Sequence, residues 1–293
     1  MPVTKIVSLC PTFCRPWMVA NTLAQWVRQT HPLEDRWLLI GDDADGLGDL
    51  STKRIRDAIR YAGFSDDVAA RVFHFRFPAN LTLPEKYNRM AEYALQWMCP
   101  GAELFTVWED DDNYVPAHLQ QIAHEWNRRN RPAGWWGHPH LVLSDYTKHL
   151  KAELAEGRFH AALALTADAW RRCPWVETDA PNFDQQYLWR LESAFGPRRT
   201  YDLHASKRTG QTYSTPSYIF RWHTRCPHGQ QFMPDHGATW QQHARAAMRA
   251  EFEGRGGFDF ICQMDLSTAR LIAEATDDGR QRVSVPQYLP ELH

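Results

Sequence analysis

Several features that define other protein classes are absent from this 293-residue sequence. The six cysteines include no CxxC pair, so a structural zinc site is not expected, and their spacing indicates no disulfide framework. The sequence contains no run of about 20 apolar residues, so no transmembrane helix is expected. The start, MPVTKIVSLCPTF, lacks the basic and apolar regions of a signal peptide. We therefore expect a reduced, cytoplasmic environment and no membrane insertion.

A strong net charge is also lacking, because the total is −2 and the pI is about 6.7. The charge is nevertheless uneven, since residues 190–225 hold seven basic side chains against two acidic ones. The basic ones are Arg190, Arg198, Arg199, Lys207, Arg208, Arg221 and Arg225. The aromatic residues among them are Tyr201, Tyr213, Tyr218, Phe220 and Trp222. This mixture suits a nucleic-acid strand, through phosphate contacts and base stacking, or else forms a solvated surface.

Apolar patterning predicts an α/β fold. A hydrophobic content of 43% is sufficient for a sizeable core. Four short apolar runs read as buried strands with helical periodicity between them: KIVSLCPT, RWLLIGDD, RVFHFRF and ELFTVW. This alternation indicates a mostly parallel sheet flanked by helices. The later part is less regular, with expected strands in WWGHPHLVLSD, FHAALALT and SYIFRW and a helix in NFDQQYLWRLESAF. Without a clear linker, we expect one domain over residues 1–293 with a C-terminal elaboration.

Some boundaries follow from local signals. Pro11 is expected to stop the first strand, and Thr82 with Glu85 forms a plausible capping box at the start of a helix. Another helix is expected from Val115 onward. Residues 238–252 also have a helical pattern, followed by a turn in FEGRGGF.

Three polar segments follow the predicted strands: PTFCRP, GDDADG and EDDDN. In open α/β sheets, ligands collect beyond the carboxyl ends of the strands, so these segments should share one edge. The third contains four consecutive carboxylates, Glu109 through Asp112. Adjacent like charges are costly to remove from water unless a cation lies among them. The run is therefore either a solvated loop or a cation site, and the shared edge favours the site.

The sequence resembles the family 2 glycosyltransferases, which have the GT-A (Rossmann-like) fold. The resemblance covers about residues 3–192 and rests on five segments in the family's order. PTFCRP resembles the family's PTYNRP, QTHP its QTYP, LLIGDDAD its IVVDDGS, WEDDDNYVP its LDADDIWHP, and NFDQQYLWRL its EDYDLCLRL.

The resemblance implies a metal and nucleotide site in the acidic run. Glu109 and Asp111 take the ends of the family's DxD motif, which implies that they bind Mn²⁺ or Mg²⁺ and, with Asp110, the nucleotide. A hard cation held by carboxylates stabilises the charge that a departing diphosphate gains. His223 or His228 is a candidate third metal ligand or diphosphate contact, and a structural role is the alternative for each. The alternative is an acidic helix start stabilised by the helix dipole.

Other donor contacts are implied at the same edge. Pro11, Thr12 and Arg15 line it in the family pattern, and Asp42 is expected to contact the uracil base or the ribose. A surface role is equally open for Arg15. Lys86 is expected to be an exposed helical lysine rather than a phosphate ligand.

Asp184 matches the family's general base, with Phe183 in place of the preceding Glu. A base opposite the leaving group removes the proton of the attacking hydroxyl. A helix cap is the alternative role for this aspartate. By this reading, residues 1–132 bind the nucleotide sugar and residues 133–293 bind the acceptor.

The expected activity is inverting transfer of a sugar from a UDP-sugar to an acceptor hydroxyl. The chain also resembles phage enzymes that glycosylate hydroxymethylated pyrimidines in DNA, which implies 5-hydroxymethylcytosine as one acceptor and a bacterial or phage-infected cytoplasm. A cell-surface glycan or lipid-linked sugar is the alternative acceptor. A nucleotidyltransferase is disfavoured because PTFCRPW has no glycine. A non-catalytic sugar-binding or nucleic-acid-binding protein stays open.

Overall fold

The computed structural model describes most of the chain up to residue 222 and one short strand beyond it. The described residues are 3–13, 16–43, 51–61, 63–146, 150–155, 160–178, 180, 182–205, 212–214, 216–222 and 283–284. The predicted helix at 238–252 and the turn in FEGRGGF lie outside them.

The helices of the described residues are distributed along the chain between the strands. The α-helices are α1 (Pro16–Trp26), α2 (Thr52–Tyr61), α3 (Asp66–Ala70), α4 (Leu83–Tyr93), α5 (His118–Arg128), α6 (Ala167–Arg172) and α7 (Phe183–Phe195). A π-helical turn, Ala94–Met98, continues α4, and 3₁₀ turns occupy Leu33–Asp35 and His160–Ala162.

The strands are shorter in the second half than in the first. They are β1 (Ile6–Thr12), β2 (Arg36–Asp42), β3 (Val72–Arg76), β4 (Leu104–Val107), β5 (Asn113–Tyr114), β6 (Trp136–His138), β7 (Leu141–Tyr146), β8 (Leu150–Leu154), β9 (Ala164–Thr166), β10 (Arg199–Thr200), β11 (Leu203–Ala205), β12 (Thr212–Ser214), β13 (Tyr218–Trp222) and β14 (Val283–Ser284).

The largest sheet has seven strands in the order β10-β6-β9-β4-β1-β2-β3. Strands β4, β1, β2 and β3 are parallel to one another, as are β10 and β6, and within this sheet only β9 runs antiparallel to the strands beside it. Helices α2 and α4 pack against this sheet. The predicted α/β class, with a mostly parallel sheet flanked by helices, is confirmed. A four-stranded sheet, β5-β13-β7-β8, and a small one, β11-β12-β14, complete the described topology.

Every residue of β1 is buried, which explains its nearly continuous apolar sequence. The prediction that Pro11 stops this strand is wrong, because the strand continues to Thr12. Pairing with β4 ends at Leu9, whereas pairing with β2 continues to the end. A proline is tolerated where one side of a strand no longer needs its N–H.

The predicted capping box at the start of α4 is confirmed. The Thr82 hydroxyl accepts from the Glu85 N–H, and the Glu85 carboxylate accepts from the Thr82 N–H at 2.7 Å. Pro84 lies in the first turn, where its missing N–H is not needed.

The prediction of a helix from Val115 is wrong by three residues, because α5 begins at His118. Strand β5, Asn113–Tyr114, comes shortly before this helix, and there the side chain of Gln25 accepts from the Tyr114 N–H at 2.7 Å. The same Gln25 amide donates to the Asn113 side chain at 2.6 Å, and Tyr114 pairs with Tyr218 of β13. These partners are distant in sequence, so no local pattern reveals them.

Two predicted strands of the second half are divided. WWGHPHLVLSD forms β6 in the large sheet and β7 in the four-stranded sheet, with Pro139 between them. FHAALALT forms a 3₁₀ turn at His160–Ala162 and then β9. One hydrophobic core includes both Ile6 and Tyr218. The division at residue 132 stays a prediction.

Candidate active site

The ends of β1, β2 and the segment after β4 lie at one edge of the large sheet. Thr12 pairs in register with Asp42, so β1 and β2 end side by side. The Thr12 hydroxyl donates to Asp110 at 2.6 Å, which joins β1 to the acidic run. The prediction that these polar segments meet is confirmed for their described residues. Pro11 is buried within β1, one residue before this junction.

The acidic run is not a solvated loop. All four side chains from Glu109 to Asp112 are buried, none more than 6% exposed. Glu109, Asp110 and Asp111 each offer an oxygen within 4.8 Å of the other two. Oxygen ligands at such spacing fit a hard divalent cation such as Mn²⁺ or Mg²⁺. The cluster therefore has the donor chemistry that the predicted metal requires.

Tyrosine hydroxyls hold the two ends of the run. Tyr87, on α4, donates to Glu109, and Tyr218, on β13, donates to Asp112 at 2.5 Å. Burial and then the neighbouring carboxylate raise the pKa of each phenol well above its ordinary value. Both hydroxyls thus keep their protons and donate. Sequence reasoning assigned neither tyrosine to the site, since nothing in the sequence relates α4 and β13 to this loop.

The segment after β2 is held by basic side chains. Asp42 is completely buried, and one of its oxygens lies 3.2 Å from Arg76 Nη2 and 3.6 Å from His74 Nε2. Lys86 Nζ lies 2.9 Å from Asp43. The prediction that Lys86 is exposed is wrong, because its side chain is only 7% accessible. A lysine buried on a helix needs an anionic partner, and Asp43 supplies it.

Asp184 lies in the first turn of α7, which brings the predicted base to the acidic run. It does not cap the helix, since the N-cap residue is Asn182. The imidazole of His160 stands between the two sites, with Nε2 3.1 Å from Glu109 Oε1 and Nδ1 3.5 Å from Asp184 Oδ2. Sequence reasoning missed His160, whose segment read only as part of a strand.

The electrostatics of this bridge depend on both carboxylates. Burial alone would lower the pKa of His160, but hydrogen bonds and charges of Asp184 and Glu109 outweigh it and raise the pKa to about 10. Burial alone would raise the pKa of Asp184. The hydrogen bond and the charge of His160, together with the hydrogen bond from the Gln185 N–H, outweigh burial and lower this pKa. Both groups are therefore charged at neutral pH.

An aromatic wall fixes the position of α7 beside α4. Trp175 stacks on Tyr187 at a centroid distance of 3.8 Å and on Tyr87 at 4.9 Å. The side chain of Asn88 accepts from the Trp175 N–H at 3.0 Å and donates to its carbonyl at 2.9 Å. The helix that carries Asp184 is thus packed, through Trp175, against the helix that carries Tyr87.

Three predicted site residues lie outside the described residues: Arg15, His223 and His228. The site as described contains Pro11, Thr12, Asp42, Glu109, Asp110, Asp111 and Asp184.

The basic stretch, residues 190–225, is only partly as expected. Arg199 is exposed on β10, and Arg190 donates to the Pro174 carbonyl at 3.0 Å. The interpretation of its aromatics as base-stacking groups is wrong for Tyr201 and Tyr218, which are at most 1% exposed. Their rings pack in the core, and the Tyr201 hydroxyl donates to the Ala162 carbonyl.

Comparisons with known proteins found similar folds only. No family model and no curated protein matches the chain. Among solved structures, S. aureus TarS 1–349 in complex with UDP is 12% identical with a TM-score of 0.48, covering 76% of this chain and 62% of that one. The complex of TarS 1–349 with UDP-GlcNAc is 11% identical with a TM-score of 0.48, covering 81% and 61%.

A mannosyltransferase, PcManGT from Pyrobaculum calidifontis in complex with GDP-Man and Mn²⁺, is 13% identical with a TM-score of 0.48. That match covers 94% of this chain and 76% of that one. The chain spans only 60–62% of the TarS 1–349 structures. With TM-scores below 0.5, these likenesses assign neither a family nor a substrate. Within the described part of the chain, no helix has the length and apolarity to span a bilayer.

Proposed function

We propose that this protein is an inverting, metal-dependent glycosyltransferase that moves a sugar from a UDP-sugar to an acceptor hydroxyl. One observation carries the proposal. A buried cluster of three carboxylates lies beside a second, separate carboxylate, Asp184, and the imidazole of His160 contacts both. A binding protein needs no such pair, whereas displacement at a sugar carbon needs a stabilised leaving group and a base.

The donor half of the site is assigned to the sheet edge. Asp111 and Glu109 are the proposed metal ligands, and a bound Mn²⁺ or Mg²⁺ would stabilise the negative charge of the departing diphosphate. Asp110, positioned by the Thr12 hydroxyl, is proposed to contact the nucleotide. Asp42 is proposed to accept a hydrogen bond from the uracil base or ribose.

Asp184 is proposed as the general base on the acceptor side. Its side chain is 18% exposed, so a hydroxyl can reach it, and its lowered pKa keeps it ionised at neutral pH. It would accept the proton of the acceptor hydroxyl as the oxygen attacks the anomeric carbon. Attack opposite the departing diphosphate inverts the configuration there.

For the acceptor, we propose 5-hydroxymethylcytosine or another hydroxymethylated pyrimidine in DNA. The supporting feature is the seven basic residues within 190–225 in a chain of net charge −2. The burial of Tyr201 and Tyr218 means that phosphate contacts, rather than stacking on these rings, would supply the affinity. A cell-surface glycan or lipid-linked sugar is the alternative acceptor.

The direct test is UDP release from a panel of UDP-sugars, with Mn²⁺, with Mg²⁺ and with EDTA. We expect release from at least one sugar that depends on the metal. Full activity in EDTA would contradict the metal assignment, and no turnover of any nucleotide sugar would favour a binding protein. Radiolabelled sugar should then appear on DNA containing 5-hydroxymethylcytosine and not on unmodified DNA. Labelling of a glycan acceptor instead would overturn the DNA acceptor alone.

A further inference from the structure

We propose that His160 is a positioning residue that joins Glu109 to Asp184 and so sets the carboxylate of the proposed base relative to the donor site. This inference rests on the proposed glycosyl transfer and adds to it a residue that no sequence motif indicates.

The geometry supports a bridge rather than a chance contact. Each ring nitrogen of His160 faces a different carboxylate, Glu109 at 3.1 Å and Asp184 at 3.5 Å. Carboxylate oxygens accept hydrogen bonds, so an N–H on either side of the imidazole has an acceptor facing it. The imidazole is the side chain that carries two nitrogens on different sides of one small rigid ring, so it can contact two carboxylates at once.

The ring is held in this orientation by its neighbours. Phe183 meets it edge-on at a centroid distance of 5.4 Å, and Tyr87 and Trp175 do so at 6.4 Å each. The side chain is only 14% exposed. A ring packed by three aromatic groups cannot turn away from Asp184 without disturbing the aromatic wall.

The residue at 109 suits the same role. It is Glu where the resembled motif has Asp, and its Oε1 accepts from both Tyr87 and His160. The glutamate side chain is longer than that of aspartate, so Glu109 can reach His160, which in turn contacts Asp184 on α7. Donor-side and acceptor-side carboxylates are thereby held in one network.

The consequence for Asp184 is a fixed carboxylate plane. Its Oδ1 accepts from the Gln185 N–H at 2.8 Å, and its Oδ2 faces His160. Of these two contacts among the described residues, the one to its own helix remains without His160, so the carboxylate is expected to rotate more easily. Misplacement of a reacting group by about 1 Å can cost about 100-fold in rate, so the loss should appear in kcat.

A double-mutant cycle tests this role. UDP release from UDP-GlcNAc and UDP-glucose with Mn²⁺ would be measured for His160→Ala, Asp184→Asn and the double variant, with water as acceptor. We expect His160→Ala to lower kcat by about 10- to 100-fold, with unchanged KM and UDP affinity. In the Asp184→Asn background, His160→Ala should alter kcat by less than about twofold. The effects of two substitutions are not additive when one residue acts through the other. His124→Ala, at an exposed position of α5, is the matched control and should retain full activity.

Two conservative variants separate the two contacts. His160→Asn keeps an N–H near the position of Nδ1, toward Asp184, whereas His160→Gln keeps one near Nε2, toward Glu109. We expect the Asn variant to recover more kcat than the Gln variant, at equal thermal stability.

Three results would overturn the inference. Equal losses of kcat in both backgrounds would indicate a merely structural role. Weakened UDP binding in His160→Ala, with kcat retained, would assign the residue to the donor site. A wild-type protein that neither binds UDP nor releases it from any UDP-sugar would refute the proposed function, and the positioning role with it.

Discussion

Tyr218→Phe is the sharpest probe of how the acidic run is held. The change removes one hydroxyl and keeps the ring, which is completely buried. That hydroxyl donates to Asp112 at 2.5 Å, a distance typical of a bond to an ionised carboxylate. Hydrogen bonds to charged groups contribute about 1.5–3 kcal/mol, so the free energy of unfolding should fall by that amount.

Tyr201→Phe is the matched control for this change. Tyr201 is just as buried, but its hydroxyl donates at 2.8 Å to a neutral acceptor, the Ala162 carbonyl. Its loss should cost only about 0.5–1.5 kcal/mol. Urea unfolding of both variants measures the difference directly.

The same pair of variants should differ in metal binding. Asp112 directly follows Asp111, so loss of this hydrogen bond to Asp112 should weaken Mn²⁺ binding in Tyr218→Phe, whereas Mn²⁺ binding should be unchanged in Tyr201→Phe. Equal stability losses in the two variants, with equal Mn²⁺ affinity, would refute the idea that tyrosine hydroxyls stabilise the buried carboxylates.

Three further predictions follow from particular side chains. Burial raises the pKa of Asp202 to about 6 from an ordinary 3.8, although hydrogen bonds from His140, Leu141 and Ser214 oppose this. Its contribution to stability is therefore full below pH 3.8 and is lost as the pH rises to about 6, by up to about 3 kcal/mol. Urea unfolding should show this slope in the wild type and not in Asp202→Asn. Asp42→Ala should weaken UDP binding by about 10- to 100-fold if the carboxylate bonds the nucleoside, whereas Asp57→Ala on α2 should not, by calorimetry. If DNA is bound, log affinity should fall steeply with log salt, and Gln substitution of four basic residues should reduce that slope while UDP-sugar hydrolysis persists. These four are Arg198, Arg199, Lys207 and Arg208.

The sequence predicts the first half of the fold well because its signals are local. Buried parallel strands read as apolar runs, and the Thr82–Glu85 box marks a helix start within four residues. The common edge follows from topology alone, since parallel strands end on the same side of a sheet. This is why the segments that contain Thr12 and Asp110 could be expected at one edge, although their hydrogen bond could not.

What the sequence did not reveal depends on contacts between distant segments. Lys86 reads as an exposed helical lysine, and only the fold brings Asp43 beside it. Tyr218 is 106 positions from Asp112, and His160 is 51 from Glu109. The packing that creates these pairs is set by the whole core, so no spacing or periodicity in the chain reports them.

The central claim is that the acidic run and Asp184 are two sites with separate tasks. Calorimetric titration of UDP with Mn²⁺ into Asp184→Asn and Asp111→Asn, beside turnover measurements, tests it most directly. The account predicts that Asp184→Asn binds UDP and Mn²⁺ like the wild type but loses transfer, whereas Asp111→Asn loses both Mn²⁺-dependent binding and turnover. Loss of UDP binding in Asp184→Asn would assign this carboxylate to the donor site and contradict the mechanism.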